Sequence, residues 1–192
     1  EDPELSRRVA EHLGLQKARV VEAYGDLDEV RRTVGEAASG FLAGTLQAGE
    51  TLGLAWGRTL TYMIGSLHQL PDVQILQLNG AVGSDLSQSP IEMLRRAALV
   101  SGNRAKALMA PLYIHNLQAA QALRRQPDLE EVFTLYDTVT TAVVAVGGFQ
   151  DSGEGNQNSR FLPLLPPAAR KQLLDNGAVA EVCGLPFRAD GS

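Results

Sequence analysis

The order of patterns along this chain predicts an α/β fold, a mostly parallel Rossmann-like sheet with helices on both faces. Three observations carry that expectation. Strand-like and helix-like stretches alternate; the strand-like stretches are near-continuous apolar runs; and three of them stop at glycine-rich turns, at Gly57, at Gly80 to Gly83 and at Gly147-Gly148. Continuous apolar strands are buried on both sides, which is the condition of a parallel sheet between helical layers. Ligands of such sheets bind at the carboxyl ends of the strands. Three turns on one edge would therefore share a pocket.

The elements follow in order. Ala18 to Tyr24 reads as a first strand, and Asp26 or Asp28 can cap the helix behind it. The apolar face of that helix is Leu27, Val30, Val34, Ala37 or Ala38, Phe41 and Thr45, with Gly49 suited to its C-terminal cap. Thr51 to Ala55 is the second strand, Arg58 to Leu70 the next helix, and Pro71-Asp72 its break. Val73 to Leu78 forms a third strand. Ser89 and Pro90 start a helix through Val100, with proline at its first position. Lys106 to Ala110 is a fourth strand, stopped by Pro111. Short helices near Asn116 to Arg125 and Leu129 to Asp137 flank Pro127-Asp128, and Thr141 to Val146 is the fifth strand. Residues 151–160 are polar and glycine-containing, a loop over the pocket or a disordered stretch. Pro166 to Asp175 is a last helix and Val179 to Phe187 a final strand or hairpin arm.

Composition narrows the function classes. The chain has 192 residues, 44% of them apolar and 20% charged, which suits one domain with a full core. A net charge of −5, with no Lys/Arg run longer than two residues, argues against a nucleic-acid-binding surface. The single cysteine, Cys183, excludes an internal disulfide and a multi-cysteine metal site. No apolar run approaches the roughly 20 residues that span a bilayer. No membrane partner is expected, and the cytoplasm is the default location.

The segment Leu52-Gly53-Leu54-Ala55-Trp56-Gly57-Arg58-Thr59-Leu60 is the most informative. An apolar strand stops at a glycine and a helix starts at once. Backbone N–H groups at such a helix start point outward, and the helix dipole adds partial positive charge. Arg58 supplies a cation and Thr59 a hydroxyl, so the turn is suited to a phosphate. The same residues also fit a plain strand-to-helix turn with an exposed arginine. Asn79-Gly80-Ala81-Val82-Gly83 is either a second contact or a tight turn. Trp56 is either a cover for a sugar face or packing.

Other candidates are weaker. Asp151 to Asn158 resembles a calcium loop but has glycine at its third and fifth positions, where oxygen ligands are required. His12, His68 and His115 are scattered. Cys183 reads as a buried, inert thiol in an apolar strand. Asp85 and Asp151 are the carboxylates nearest the strand-end turns, and no catalytic constellation is visible. No cofactor and no metal is expected.

These residues, taken in order, resemble a family. Gly53-Leu54-Ala55-Trp56-Gly57-Arg58-Thr59 is similar to the G-x-x-W-G-x-T signature of the SorC/DeoR-like sugar-binding domain of bacterial transcriptional regulators. Leu78-Asn79-Gly80-Ala81, Ala110-Pro111-Leu112-Tyr113, Val144-Ala145-Val146-Gly147-Gly148 and the run Gly177 to Gly184 resemble later pieces of the family, and Asp190-Gly191 its acidic-glycine step. The resemblance implies a fold related to sugar-phosphate isomerases and CoA transferases, a phosphorylated sugar as effector, and a homo-oligomer, dimer or tetramer. Gly57, Arg58 and Thr59 would cradle the phosphate. Asn79, Gly80 and Gly83 would line the next wall, Gly147, Gly148 and Asp151 another, and Trp56 and Tyr113 would reach the sugar. Residues 1–192 would form the effector-binding domain. Glu1 to Gln16 is too short for the family's helix-turn-helix, so operator DNA would be met only through another domain. The family's later strands and lysine would follow Asp190-Gly191. Glu1-Asp2-Pro3 resembles a cloning remnant. The rival expectations are a sugar-phosphate isomerase or deaminase on the related fold, and an oligomerisation module with a vestigial pocket.

Overall fold

The computed structural model describes residues 1–82, 89–102, 104–149 and 159–192. Its helices are α1 (Pro3–Leu13), α2 (Leu27–Ala43), α3 (Arg58–Gly65), α4 (Pro90–Ser101), α5 (Leu117–Arg124), α6 (Pro127–Leu135) and α7 (Pro167–Asp175). Its strands are β1 (Thr51–Leu54), β2 (Gln74–Gln77), β3 (Ala105–Lys106), β4 (Thr141–Val143), β5 (Val146–Gly148), β6 (Ala178–Val182) and β7 (Leu185–Arg188). Among the described residues, β3-β2-β1-β4 form one parallel sheet and β5-β6-β7 a second, antiparallel one. The α/β class and the parallel sheet flanked by helices are as expected. The small antiparallel sheet is the addition.

The core explains the order of the strands. Leu52, Leu54 and Ile75 are fully enclosed and pack with Leu60, Met63 and Ile64 of α3 and with Met93 and Leu94 of α4. Burial of each such side chain contributes about 1.5–3 kcal/mol. Gly53 points to the other side of β1. A Cβ there would come within 2.7 Å of Leu78 and 3.0 Å of Val139. The first glycine of the G-x-x-W-G pattern is thus a matter of space.

Several boundaries differ from the sequence expectation, each for a local reason. Ala18 to Tyr24 is extended but joins no sheet. The Val20 carbonyl accepts from the Asp2 N–H at 2.9 Å, and the Val20 N–H donates to Ser6 Oγ at 2.8 Å, so the segment is strapped to α1. Asp2 caps α1 through the Leu5 N–H, with Pro3 at the helix start. Asp26 caps α2 in a capping box with Glu29, but the helix stops at Gly44; Gly49, at φ +86°, serves the turn into β1. The buried face of α2 is Gly35, Ser39 and Leu42, while Val34 is 40% exposed. A Cβ on Gly35 would lie 2.7 Å from Tyr62 Cβ and 2.8 Å from the Thr59 carbonyl oxygen. Small residues, not large apolar ones, let α2 approach α3.

Helix α3 ends at Gly65, not Leu70, and Leu67 and Leu70 turn into the core beyond it. The expected fourth strand shrinks to Ala105–Lys106, because the chain turns at Leu108 to Ala110. The fifth divides after Val143. Its continuation, Val146–Gly148, leaves the parallel sheet and pairs with β6.

Candidate functional site

The turn after β1 is held from both sides. The Trp56 N–H donates to Asn79 Oδ1 at 3.1 Å, and the indole N–H donates to the Gly80 carbonyl at 2.7 Å. Trp56 therefore ties the β1 turn to the β2 turn. The β2 turn is fixed in its own way. The Gln77 side-chain amide donates to the Asn79 carbonyl at 2.7 Å, and Ala81 exchanges hydrogen bonds with Ala110 and Leu112 at 2.8 Å each. Gly80 is a close approach. A Cβ on it would meet the Pro111 carbonyl at 2.5 Å.

Gly57 is the N-cap of α3 and, as glycine, offers that helix start no side-chain oxygen of its own. Its φ of 172° is extended backbone open to any residue, and a Cβ would meet only Ala145, at 3.8 Å. Glycine here leaves space in front of the helix start. Uncapped N–H groups at a helix N-terminus are an anion site by their partial charge and their direction.

A cavity of about 260 Å³ opens in front of this turn. Trp56, Gly57, Arg58, Thr59 and Asn79 line one side of it, and Gly147 and Gly148 another. Two further arginines line it that the sequence reading did not single out: Arg31 from α2 and Arg160 from the segment before α7. Burial holds the Arg58 guanidinium below its ordinary range, and the fields of Arg31 and Arg160 push it the same way, against Asp28. Three cations thus converge at one helix N-terminus. Arg31 sits one turn before Gly35, so the close α2–α3 approach carries it to Arg58.

Glu181 of β6 lines the cavity too; it falls in the Gly177 to Gly184 run but was not expected at the ligand. Its Oε2 accepts from the Gly184 N–H at 2.8 Å, and Ser159 Oγ donates toward its Oε1 at 3.5 Å. A Cβ on Gly147 would come to 2.5 Å from Oε1, so glycine makes room for the carboxylate. Cys183 lines the cavity too. It does not lie in a strand as expected. It forms the β6–β7 turn with Gly184, at φ 54° and 82°. Burial pushes its thiol upward, and Glu181 adds to that.

Gly80 and Tyr113, expected at the ligand, lie outside this lining. Gly80 packs on Pro111, and the Tyr113 ring stacks edge-on with His115 at 4.9 Å and with Phe161 at 6.2 Å. Gly83, Asp85, Asp151 and residues 151–158 of the loop expected at 151–160 fall outside the described residues. Among the described residues no cluster of three or more His, Cys, Asp or Glu could hold a metal, and no helix is long and apolar enough to cross a membrane.

The Sugar-bind family model, which describes a sugar-binding domain, matches residues 1–192. The chain belongs to this sugar-binding domain family. An uncharacterized transcriptional regulator of Escherichia coli K12, YjhU, is 24% identical over 96% of the chain and 57% of its own length. The erythritol catabolism regulatory protein EryD of Brucella abortus is 22% identical over 98% of the chain and 60% of its own length. The chain therefore spans somewhat more than half the length of these relatives. In structure, the sugar-binding domain superposes on the full-length sorbitol operon regulator SorC of Klebsiella pneumoniae with a TM-score of 0.82 at 16% identity, covering 96% of this chain and 60% of that one. The family fold is thus the fold described above, and the relatives are transcriptional regulators.

Proposed function

We propose that this sugar-binding domain is the sensor of a transcriptional regulator, that its effector is a phosphorylated sugar, and that it is not an enzyme. The observation that carries the reading is the convergence of Arg31, Arg58 and Arg160 at the start of α3, whose N-cap is Gly57, in a cavity also lined by Thr59. A phosphate monoester carries about −1.5 to −2 charge and three acceptor oxygens, which matches cations, a hydroxyl and helix N–H donors. Operator DNA is contacted by a separate domain, and the sensor works in the cytoplasm as a dimer or tetramer. Effector binding shifts oligomeric state or operator affinity, by as much as the effector prefers one state over the other.

The test is thermal stability against phosphorylated and free sugars, with inorganic phosphate as control. A ligand at about 100 times its dissociation constant adds about 2.7 kcal/mol. Stabilisation by a phosphorylated sugar, with no change in the sugar itself, supports the reading. Stabilisation by free sugars alone would refute the phosphate. Turnover of the sugar phosphate in a coupled assay would refute the non-enzymatic role.

A further inference from the structure

The arginines at the start of α3 have a carboxylate built in beside them. Leu27 and Arg31 of α2 line the cavity, and Asp28 stands one helical turn before Arg31, on the same side of that helix. On α3, Tyr62 follows Arg58 by one turn in the same way. The Tyr62 hydroxyl donates to Asp28 Oδ2 across the two helices. Starting α2 does not need this carboxylate, since Asp26 and Glu29 form the capping box and Asp26 receives the Asp28 N–H. The side chain is exposed, yet its position is fixed from the neighbouring helix. Its field reaches the Arg58 guanidinium and opposes those of Arg31 and Arg160 there. The hydrogen bond to Asp28 pushes the Tyr62 hydroxyl upward, while Arg32 and Arg31 pull it down. A phosphate arriving at the start of α3 therefore meets the attraction of the arginines and the repulsion of Asp28 together.

We propose that Asp28 is a resident counter-charge of the cavity: held in place by Tyr62, it weakens the grip of Arg31 and Arg58 on a phosphate and so sets the effector concentration to which the domain responds. The proposal rests on the phosphate-binding reading above. It goes beyond that reading by assigning the strength of the site to a residue outside the cavity lining. Asp28 acts through its field, so it weakens every phosphate alike, bare or esterified. A carboxylate that touched the sugar would instead change the preference among ligands. A field that crosses solvent is also screened by salt, with a range of about 30 Å at about 0.01 M ionic strength and about 8 Å at about 0.15 M.

The experiment is calorimetric titration of the native protein, Asp28→Asn, Tyr62→Phe and the double variant, at one pH and at ionic strengths of about 0.01 M and about 0.15 M. The probes are inorganic phosphate, glucose 6-phosphate and ribose 5-phosphate. Asp28→Asn keeps the side chain's size and an acceptor for Tyr62 but removes the charge. For each probe that binds, it should tighten binding at least about threefold at the lower ionic strength, and about half of that gain or more should vanish at the higher. The factor should agree among the probes within about twofold, as a field requires. Tyr62→Phe releases the carboxylate and should recover part of the gain. On the Asp28→Asn background it should change affinity by less than about twofold, because the tether acts only through the charge. Unchanged or weaker binding by Asp28→Asn, a gain that salt does not shrink, a factor that differs among the probes, or an equal loss from Tyr62→Phe on both backgrounds would overturn the proposal with the phosphate site intact. No binding of any probe by any of the four proteins would refute the phosphate reading itself.

Discussion

Both N–H groups of Trp56 are engaged by the neighbouring turn, one with Asn79 and one with Gly80. The side chain is therefore a clamp between two strand ends, at the edge of the cavity. Trp56→Phe keeps the ring's bulk and removes the indole donor, leaving the Gly80 carbonyl without it. Loss of about 1–3 kcal/mol in urea denaturation is the expected cost. Because Trp56 is the only tryptophan, effector binding should also change the native protein's intrinsic fluorescence. Cys183 gives a second residue-scale reporter, as the only cysteine and part of the cavity wall. Its raised thiol reacts slowly with iodoacetamide near neutral pH and faster as pH rises, since the thiolate is the nucleophile. A bound sugar phosphate should protect it. Equal labelling rates with and without effector would separate Cys183 from the ligand cavity.

At the scale of elements, the contact between α2 and α3 organises the cationic end. Gly35 lies against the backbone of Thr59 and Met63, so any Cβ there must push the helices apart. Gly35→Ala should cost about 1–3 kcal/mol of stability by overpacking. It should also weaken phosphate binding, by moving Arg31 away from Arg58. A stability loss with unchanged phosphate affinity would show that Arg31 is not positioned by this contact. Here the limits of the sequence are physical. A cap for α2 at Asp26 or Asp28 was legible because capping acts within a few residues, and the structure selects Asp26, with Glu29 completing a capping box. The buried face was not, since periodicity looks for large apolar side chains and this helix buries Gly35, Ser39 and Leu42. The segment from Ala18 to Tyr24 has strand composition, yet its hydrogen bonds go to Asp2 and Ser6, and only the folded chain brings α1 to it. Gly57 and Gly147 were visible as glycines that interrupt apolar runs, although Gly147 lies in β5 rather than in a turn and the space it leaves is set by Glu181, far along the chain. Arg31 and Arg160 were not, because each reaches the cavity from a different element and no spacing in the chain links them, and Glu181 was visible only as part of the Gly177 to Gly184 run and not as a cavity residue.

For the molecule as a whole, two sheets meet around one cavity, and Tyr136 binds the parallel sheet near its ligand edge. Its hydroxyl donates to the Gln77 carbonyl at 2.8 Å and the Leu78 carbonyl at 3.3 Å. Burial, and the Cys183 field in addition, push it from 10.0 up to about 12. The folded protein keeps this proton where the unfolded chain releases it. The contribution to stability is complete below a pH of 10.0 and is lost as pH rises through about 12. Denaturation measured between about pH 9 and about pH 11 should show a steeper fall in the native protein than in Tyr136→Phe. Parallel curves would mean the hydroxyl carries no such linkage.

The central claim is that the phosphate of the effector is held by the start of α3 and the arginines around it. The most direct measurement is titration of the native protein and of an Arg58→Ala/Thr59→Ala variant with one sugar in its phosphorylated and free forms. Hydrogen bonds to a charged group are worth about 1.5–3 kcal/mol each. The native protein should bind the phosphorylated form far more tightly, and the variant should lose at least about tenfold of that affinity while keeping its fold. Equal affinity for the two forms, or an unaffected variant, would contradict the account.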